Sequence, residues 1–404
     1  MDHALRSANA DQSAPHGPSN ALTIAFAIAC GAMVANLYYA QPMIGLIAPD
    51  IGMSTAAAGL IVTLTQLGYG AGLLLIVPMA DLFENRKLVL VTLAGTIAGL
   101  IAIALSTGEE SFLIASFITG FFAVGAQVLV PFAAHLAPEQ TRGRMIGNVM
   151  GGLLAGIMLA RPLASITAAH FGWRAIFWLS AVVMAALGLL LARALPRRKP
   201  QPGAHYGQIL LSMLRLLATT PVLRRRAAYQ ALMFAAFNLF WTAVPLMLMR
   251  DFGYSQKGVA LFALAGAGGA LAAPFAGRLA DRGLTRIATG VAILVVILSF
   301  LAAGWAGAAG LVVVLALCAI TLDAAVQTNQ VLGQRLVYAL PGEVRGRINA
   351  IYMTIMFLLG SCGSAVAAAV FQHGGWRLTV LIGVGTGLML LALFVTELTS
   401  RHHG

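Results

Sequence analysis

The chain has 404 residues, of which 60% are hydrophobic and only 9% charged, and its mean hydropathy is +0.88. Soluble domains are about a quarter charged, and a soluble chain of this size cannot hide so much apolar surface. An ordinary cytosolic enzyme, a disordered chain and a secreted disulfide scaffold are thereby excluded, and an integral membrane protein remains. The formal charge of +12, from 25 Lys+Arg against 13 Asp+Glu, points to nucleic acid in a soluble protein but to loop topology in a membrane protein.

Residues 1–20 are polar and form a predicted cytoplasmic tail. The apolar run that follows is too long for a signal-peptide core and has no clear cleavage signal, so it is read as a retained first span. Runs of roughly 20 apolar residues cross a bilayer as helices. Twelve fit, near 21–47, 55–80, 88–107, 111–134, 144–169, 174–195, 226–250, 257–280, 285–305, 308–333, 346–371 and 376–397. They predict an all-α fold with a first half at 21–195, a cytoplasmic linker at 196–225, a second half at 226–397 and a tail at 398–404.

Span 1 carries Asn36, Tyr38, Tyr39, Gln41 and Pro42, and span 2 carries Gln66. Span 4 holds Gln127 and Pro131, and span 5 holds Arg161 and Pro162. Pro196 to Gly203 is a charged, Pro-rich linker. After it, Ile209, Leu210, Met213, Leu214 and Leu217 fall at helical spacing in a segment too short to span, which predicts a helix on the inner membrane face. Span 7 carries Asn238, Phe240, Trp241 and Pro245; span 8 carries Pro274; span 10 carries Asp323, Gln327, Asn329 and Gln330. Spans 3, 6, 9 and 12 have no Pro, Asn, Gln or charge in their interiors. Every third helix is thus plain enough to face lipid, and the bent, polar ones suit a wet interior. For any single polar residue, helix-to-helix glue is the competing reading.

With the N-terminus cytoplasmic, 20 of the 25 cations fall in inner segments, among them Arg226. Only Arg174, Arg250, Lys257 and Arg377 fall outside, and Arg161 is left within a span. This positive-inside asymmetry predicts an inner-membrane protein with both termini cytoplasmic and removes the case for nucleic acid. The three cysteines, Cys30, Cys318 and Cys362, sit in apolar runs, so neither disulfide nor zinc site is expected. Gly266-Ala-Gly268-Gly269 does not complete a dinucleotide fingerprint; no Walker loop or metal motif is present in the sequence, and no cofactor is called for.

The halves repeat. Arg142-Gly-Arg144 matches Arg345-Gly-Arg347 at an offset of 203, as Gly172-Trp-Arg174 matches Gly375-Trp-Arg377. Asn36-Leu-Tyr-Tyr39 parallels Asn238-Leu-Phe-Trp241, Asp50-Ile-Gly52 parallels Asp251-Phe-Gly253, and Ala80-Asp81 parallels Ala280-Asp281, at offsets of 200 to 202. Two parallel six-helix halves of this kind hold substrate between them near the midplane.

With the loops Val77-Pro-Met-Ala-Asp81-Leu-Phe-Glu-Asn-Arg86-Lys87 and Gly277-Arg-Leu-Ala-Asp281-Arg282-Gly283, followed by Arg286, the whole chain resembles the major facilitator superfamily. The first copy lacks both glycines of the family pattern and has Glu84 where a Gly is usual. An Asp at a helix end facing Arg from the next helix can form a charge latch. The candidates are Asp81, Arg86, Lys87, Asp281, Arg282, Arg142 and Arg345, and the resemblance implies that they brace the outward-facing state. Asn36-Leu-Tyr-Tyr-Ala-Gln-Pro42 and Thr63-Leu-Thr-Gln-Leu-Gly-Tyr69 resemble a bacterial branch related to drug:proton antiporters, mostly exporters. The antiporter motif Gly-x-x-x-Gly-Pro reads Gly156-Ile-Met-Leu-Ala-Arg161-Pro162 here; the Arg departs from it.

Two interior charges remain. A central charge costs roughly 2.5–3.5 kcal/mol on insertion scales. Asp323 is read as a proton site, against a structural partner for a neighbouring polar helix. Arg161 can hold an anionic substrate or pair with Asp323, against a snorkelling arginine tied to backbone carbonyls. Asn36, Tyr38, Tyr39, Gln41, Gln66, Gln127, Asn238, Trp241, Gln327 and Gln330 are the further candidate substrate contacts. The expectation is a monomeric, proton-coupled exporter of a small organic molecule, working in the lipid bilayer by alternating access. The alternatives are an importer or uniporter of an organic anion or nutrient and, remotely, a polytopic membrane enzyme or receptor.

Overall fold

The computed structural model describes residues 20–136, 139–196, 205–269, 271–340 and 345–399. The tail residues beyond these bounds and residues 197–204 of the linker lie outside them, as do the side chains of Arg142 and Arg345. The described residues contain helices and no strand. Among them, nine runs are long and apolar enough to cross a membrane. The run Gly346–Thr399 serves as spans 11 and 12, bent at Gly375 (φ 59°, ψ −158°), and spans 1 and 8 are each broken into two pieces. The total is the expected twelve.

The breaks have local causes. Span 1 is Asn20–Ala35 and Ile44–Asp50, joined through a 3-10 turn at Gln41–Met43. The Asn36 amide donates to the carbonyls of Ala32 and Met33 and competes with the helical ladder, and Pro42 opens the turn, where its missing N–H does no harm. Span 8 is Gln256–Gly269 and Ala272–Asp281, with Pro274 in the first turn of the second piece. Span 4 parts between Glu109–Phe122 and Gly125–Leu136. Pro162 and Pro245, by contrast, lie inside the unbroken helices Glu139–Phe171 and Pro221–Arg250.

Spans 3 and 6 pack on each other, as do spans 9 and 12. Val91, Val182, Leu298 and Leu388 on these four helices are exposed, which matches their plain composition. The repeat reappears in the backbone: Gly52 and Gly253 (φ 71° and 66°) and Gly172 and Gly375 (φ 80° and 59°) occupy the left-handed region at equivalent turns. The chemistry around these turns differs. In the first half, Asp50 accepts from Trp173 at 3.0 Å and pairs with Arg174, which holds its carboxyl below the usual carboxylate range. In the second half, Trp376 donates to Ala303 O at 2.9 Å and Asp251 pairs with Arg250 at 2.7 Å.

The halves meet along a seam that runs from the face opposite the termini, here the far face, towards the linker face. At the far end, Gly59 packs on the backbone of Ser364, and Thr63 Oγ1 lies 3.0 Å from Ser364 Oγ. Gln256 of span 8 donates to Pro42 O at 2.9 Å and Ser165 Oγ at 3.1 Å, tying spans 1 and 5. Spans 2 and 11 stay together towards the linker face through Tyr69 against Phe357 (4.6 Å between ring centroids) and Asp81 facing Arg347 at 3.8 Å. On the other side, the first piece of span 8 packs on span 5 whereas Ala272–Asp281 packs on spans 9 and 10. The halves therefore part there.

The linker helix, Tyr206–Thr219, lies against this seam. Tyr206 donates to Leu75 O at 2.7 Å in the first half, and Arg347 of the second half donates to Ser212 Oγ at 3.3 Å. On this helix Ile209 and Met213 are buried, while Leu211 and Leu214 are exposed.

Candidate functional site

The seam's polar residues meet at the middle of the bundle. Arg161 on span 5 is 4% exposed and Asp323 on span 10 is 8% exposed. No direct ion pair joins them among the described residues; Trp241 of span 7 lies between. Its indole N–H donates to Asp323 Oδ1 at 2.7 Å, and its ring faces the Arg161 guanidinium, 4.4 Å from the centroid. Phe237 (4.9 Å) and Tyr38 (5.2 Å) complete an aromatic box around that guanidinium. Cation–π contacts of this kind contribute about 2 kcal/mol when desolvated.

The edge of Arg161 is only partly used. Nε donates to Gln41 Oε1 at 2.9 Å, and Gln41 Nε2 donates in turn to Thr242 Oγ1 at 3.4 Å. Nη2 is buried and has no hydrogen-bond partner. An unmet cationic donor in an apolar interior carries a large desolvation penalty, and this edge has hydrogen-bonding capacity to spare. Opposite it, span 8 keeps its backbone close: a Cβ on Gly266 would stand 2.6 Å from the Trp241 ring, and one on Gly269 2.3 Å from Asp323 Cβ. The Gly266–Gly269 cluster thus makes room for the Trp241–Asp323 contact.

Of the candidate residues, Arg161, Asp323, Tyr38, Gln41 and Trp241 come together here. Gln66 and Asn238 form a reciprocal amide pair across the halves at 2.9 and 2.8 Å, and Asn238 also donates to Gly360 O at 3.1 Å. Asn36 turns away: it accepts from Ser180 at 2.6 Å and contacts Met184, both on span 6, and Tyr39 bonds the same Ser180. Gln127 donates to Tyr69 Oη at 3.2 Å. Gln327 and Gln330 are half-buried, about one and two turns from Asp323 towards the linker face. Phe237, Thr242 and Gln256 belong to the seam although nothing in their sequence context marked them.

The candidate latch is wired differently from the expected pairing with the following helix. Asp81 faces Arg347 of the other half, whereas Asp281 bonds Arg335 of its own. Arg86 donates to the open carbonyl of Ala192 at the end of span 6, and Lys87 pairs with Glu84 at 3.8 Å. A helix C-terminus has free carbonyls that attract a cation, and this draws Arg86 away from Asp81. Arg282 is exposed at the end of span 8. Arg226, counted among the loop cations, is buried and paired with Glu397.

A bundle of twelve helices, pseudo-repeated and holding polar side chains at its central seam, defines a multi-pass membrane transporter. The chain belongs to the Major Facilitator Superfamily, whose family model matches residues 23–361. It is 40% identical over 380 residues to the uncharacterized transporter YgaY of Escherichia coli O157:H7, covering 94% of this chain and 96% of that one. It is 34% identical to the probable transporter SCO4007 of Streptomyces coelicolor, over 89% and 84% of the two chains. It is 22% identical to the purine ribonucleoside efflux pump NepI of Salmonella paratyphi B, over 95% and 94%. Among solved structures, a bacterial homologue of the human lysosomal transporter Spinster shares the fold, with a TM-score of 0.75, 14% identity and coverage of 94% and 96%.

Proposed function

We propose that this chain, in the cytoplasmic membrane with both termini inside, exports a small organic molecule in exchange for protons. Asp323 is the proton site and the Arg161 box receives the substrate. The carrying observation is the buried carboxylate of Asp323, set across Trp241 from a guanidinium with an unused Nη2 donor.

The charges of the centre fit such a cycle. With Asp323 ionised, the Arg161–Asp323 centre is neutral and can carry a neutral substrate outward. With Asp323 protonated, it carries one positive charge on the return. A membrane negative inside drives that leg inward by roughly 2.3 kcal/mol per 100 mV. The matching substrate is a flat molecule with an acceptor oxygen for Nη2 and a face for the aromatic box. The full-length similarity to an efflux pump is consistent with export.

The test is a thermal-shift panel of neutral, anionic and cationic aromatic compounds, followed by pH-jump transport of each hit in proteoliposomes. Asp323→Asn is expected to abolish accumulation against a gradient while sparing exchange. Undiminished pH-driven accumulation by that variant defeats the assignment. The free Nη2 also favours a second reading, an organic anion moved together with a proton. In that case acid on the substrate's own side stimulates transport, whereas antiport responds to acid on the opposite side.

A further inference from the structure

We infer that Trp241 is the positioning residue that transmits the ionisation state of Asp323, in the second half, to Arg161, in the first. The inference rests on the transport reading above and adds how the proton is felt across the seam.

Trp241 makes two contacts with two different edges of one rigid ring system. Its N–H is spent on Asp323 Oδ1 at 2.7 Å, and its face lies under the Arg161 guanidinium at 4.4 Å. The ring cannot tilt to lose one contact without changing the other. It is 1% exposed and is wedged by Phe240 and Phe262, with centroids at 5.8 and 6.0 Å, and by the bare backbone of Gly266. A hydrogen bond to a carboxylate is about twice as strong as one to a neutral acceptor. Ionised Asp323 therefore holds the indole firmly as a wall of the Arg161 box. Protonation weakens that tether, the ring gains freedom, and the box that joins the two halves loosens. The charged or titratable groups facing Asp323 are Arg161 from span 5 and Tyr38 from span 1; span 7 offers only the Trp241 N–H, and span 8 offers Gly266 and Gly269. No second carboxylate competes for the role among these.

The experiment reads proton binding and its transmission separately and needs no substrate. The carboxyl infrared band of Asp323, identified by its absence in Asp323→Asn, reports proton binding in the full-length protein in nanodiscs. Spin labels on Gly143→Cys and Gly277→Cys, in a background with the native cysteines replaced, report the separation of spans 5 and 8 where the halves part; a Cβ added at either glycine meets no neighbouring atom within 4 Å.

In the otherwise unaltered protein, the band and the distance distribution are expected to titrate with one midpoint, and the ratio of the two populations to change about fivefold. Trp241→Phe keeps a ring but has no N–H: the band should still titrate and the distance response should vanish. Arg161→Lys keeps the charge without the stacking plane and should behave the same way. A cooperative melting transition verifies that each variant is folded. A distance response of full size in Trp241→Phe overturns the inference, as does a titrating band with no distance response in the parent protein. If the parent shows no titrating band, the proton-coupled reading itself fails.

Discussion

Gly59→Ala is expected to arrest transport while leaving both halves folded. An alanine Cβ at this position would stand 2.0 Å from Ser364 O and 3.1 Å from Ala365 O. Both are backbone atoms across the seam, so neither can swing aside like a side chain. Gly59 itself has φ −62°, so alanine brings no backbone strain; the whole effect is steric. Relieving it requires the far ends of spans 2 and 11 to part by about an ångström. That disrupts the 3.0 Å contact between Thr63 and Ser364 one turn away. A lost hydrogen bond of about 1 kcal/mol added to overpacking of 1–3 kcal/mol gives at least about 2 kcal/mol against far-face closure, roughly a thirtyfold loss of the closed population. Alternating access needs that state, so transport should fall by more than tenfold.

Gly120→Ala is the control. Its Cβ would stand 1.9 Å from Thr65 O, but spans 2 and 4 both belong to the first half, and their packing is used in every state. It should lower melting temperature and yield, where Gly59→Ala should lower transport with little change in melting. Transport by Gly59→Ala at the parent rate would mean that this contact does not form during the cycle.

The same distinction separates what could be read from the chain and what could not. Arg161 and Asp323 were legible because a charge in an apolar run has no ordinary explanation. The twelve spans and the repeat were legible from run length and recurring landmarks, and the repeat's glycines prove to be left-handed turns. Azimuth was not legible. Asn36 and Gln41 are both polar residues of span 1, yet one bonds Ser180 within its own half and the other reaches Arg161 and Thr242 across the centre. Sequence period gives the face of a straight helix, and span 1 changes course between these two residues. Nor does the presence of proline reveal a break: Pro42 and Pro274 sit at the starts of new pieces, while Pro162 and Pro245 are absorbed into continuous helices. The latch partners were hidden for a similar reason, since Asp81 meets Arg347 only after two distant helices are packed together.

Arg226 shows how topological counting can conceal a structural charge. It sits in a basic run at the start of span 7, where a solvated loop cation is the natural assumption, but only 6% of its side chain is exposed. Nη1 donates to Thr289 Oγ1 at 2.9 Å on span 9, and Nη2 lies 3.3 Å from Glu397 Oε1 on span 12. Tyr229 Oη donates to the other carboxylate oxygen at 2.8 Å, and its ring lies 5.4 Å from the guanidinium. One cluster therefore pins spans 7, 9 and 12 at the linker face. Arg226→Met should destabilise the second half by about 3–5 kcal/mol, because it removes the cation facing a buried carboxylate. Arg226→Met with Glu397→Met should recover most of that loss, since a buried ion pair contributes little more than an apolar pair of equal volume. Equilibrium unfolding of the two single variants and the double variant measures this coupling directly. A single variant within 0.5 kcal/mol of the parent would place the pair in effective contact with water. The predicted recovery would instead leave transport intact in the double variant, since the replaced pair lies away from the Arg161–Asp323 centre and holds only the helices that carry it.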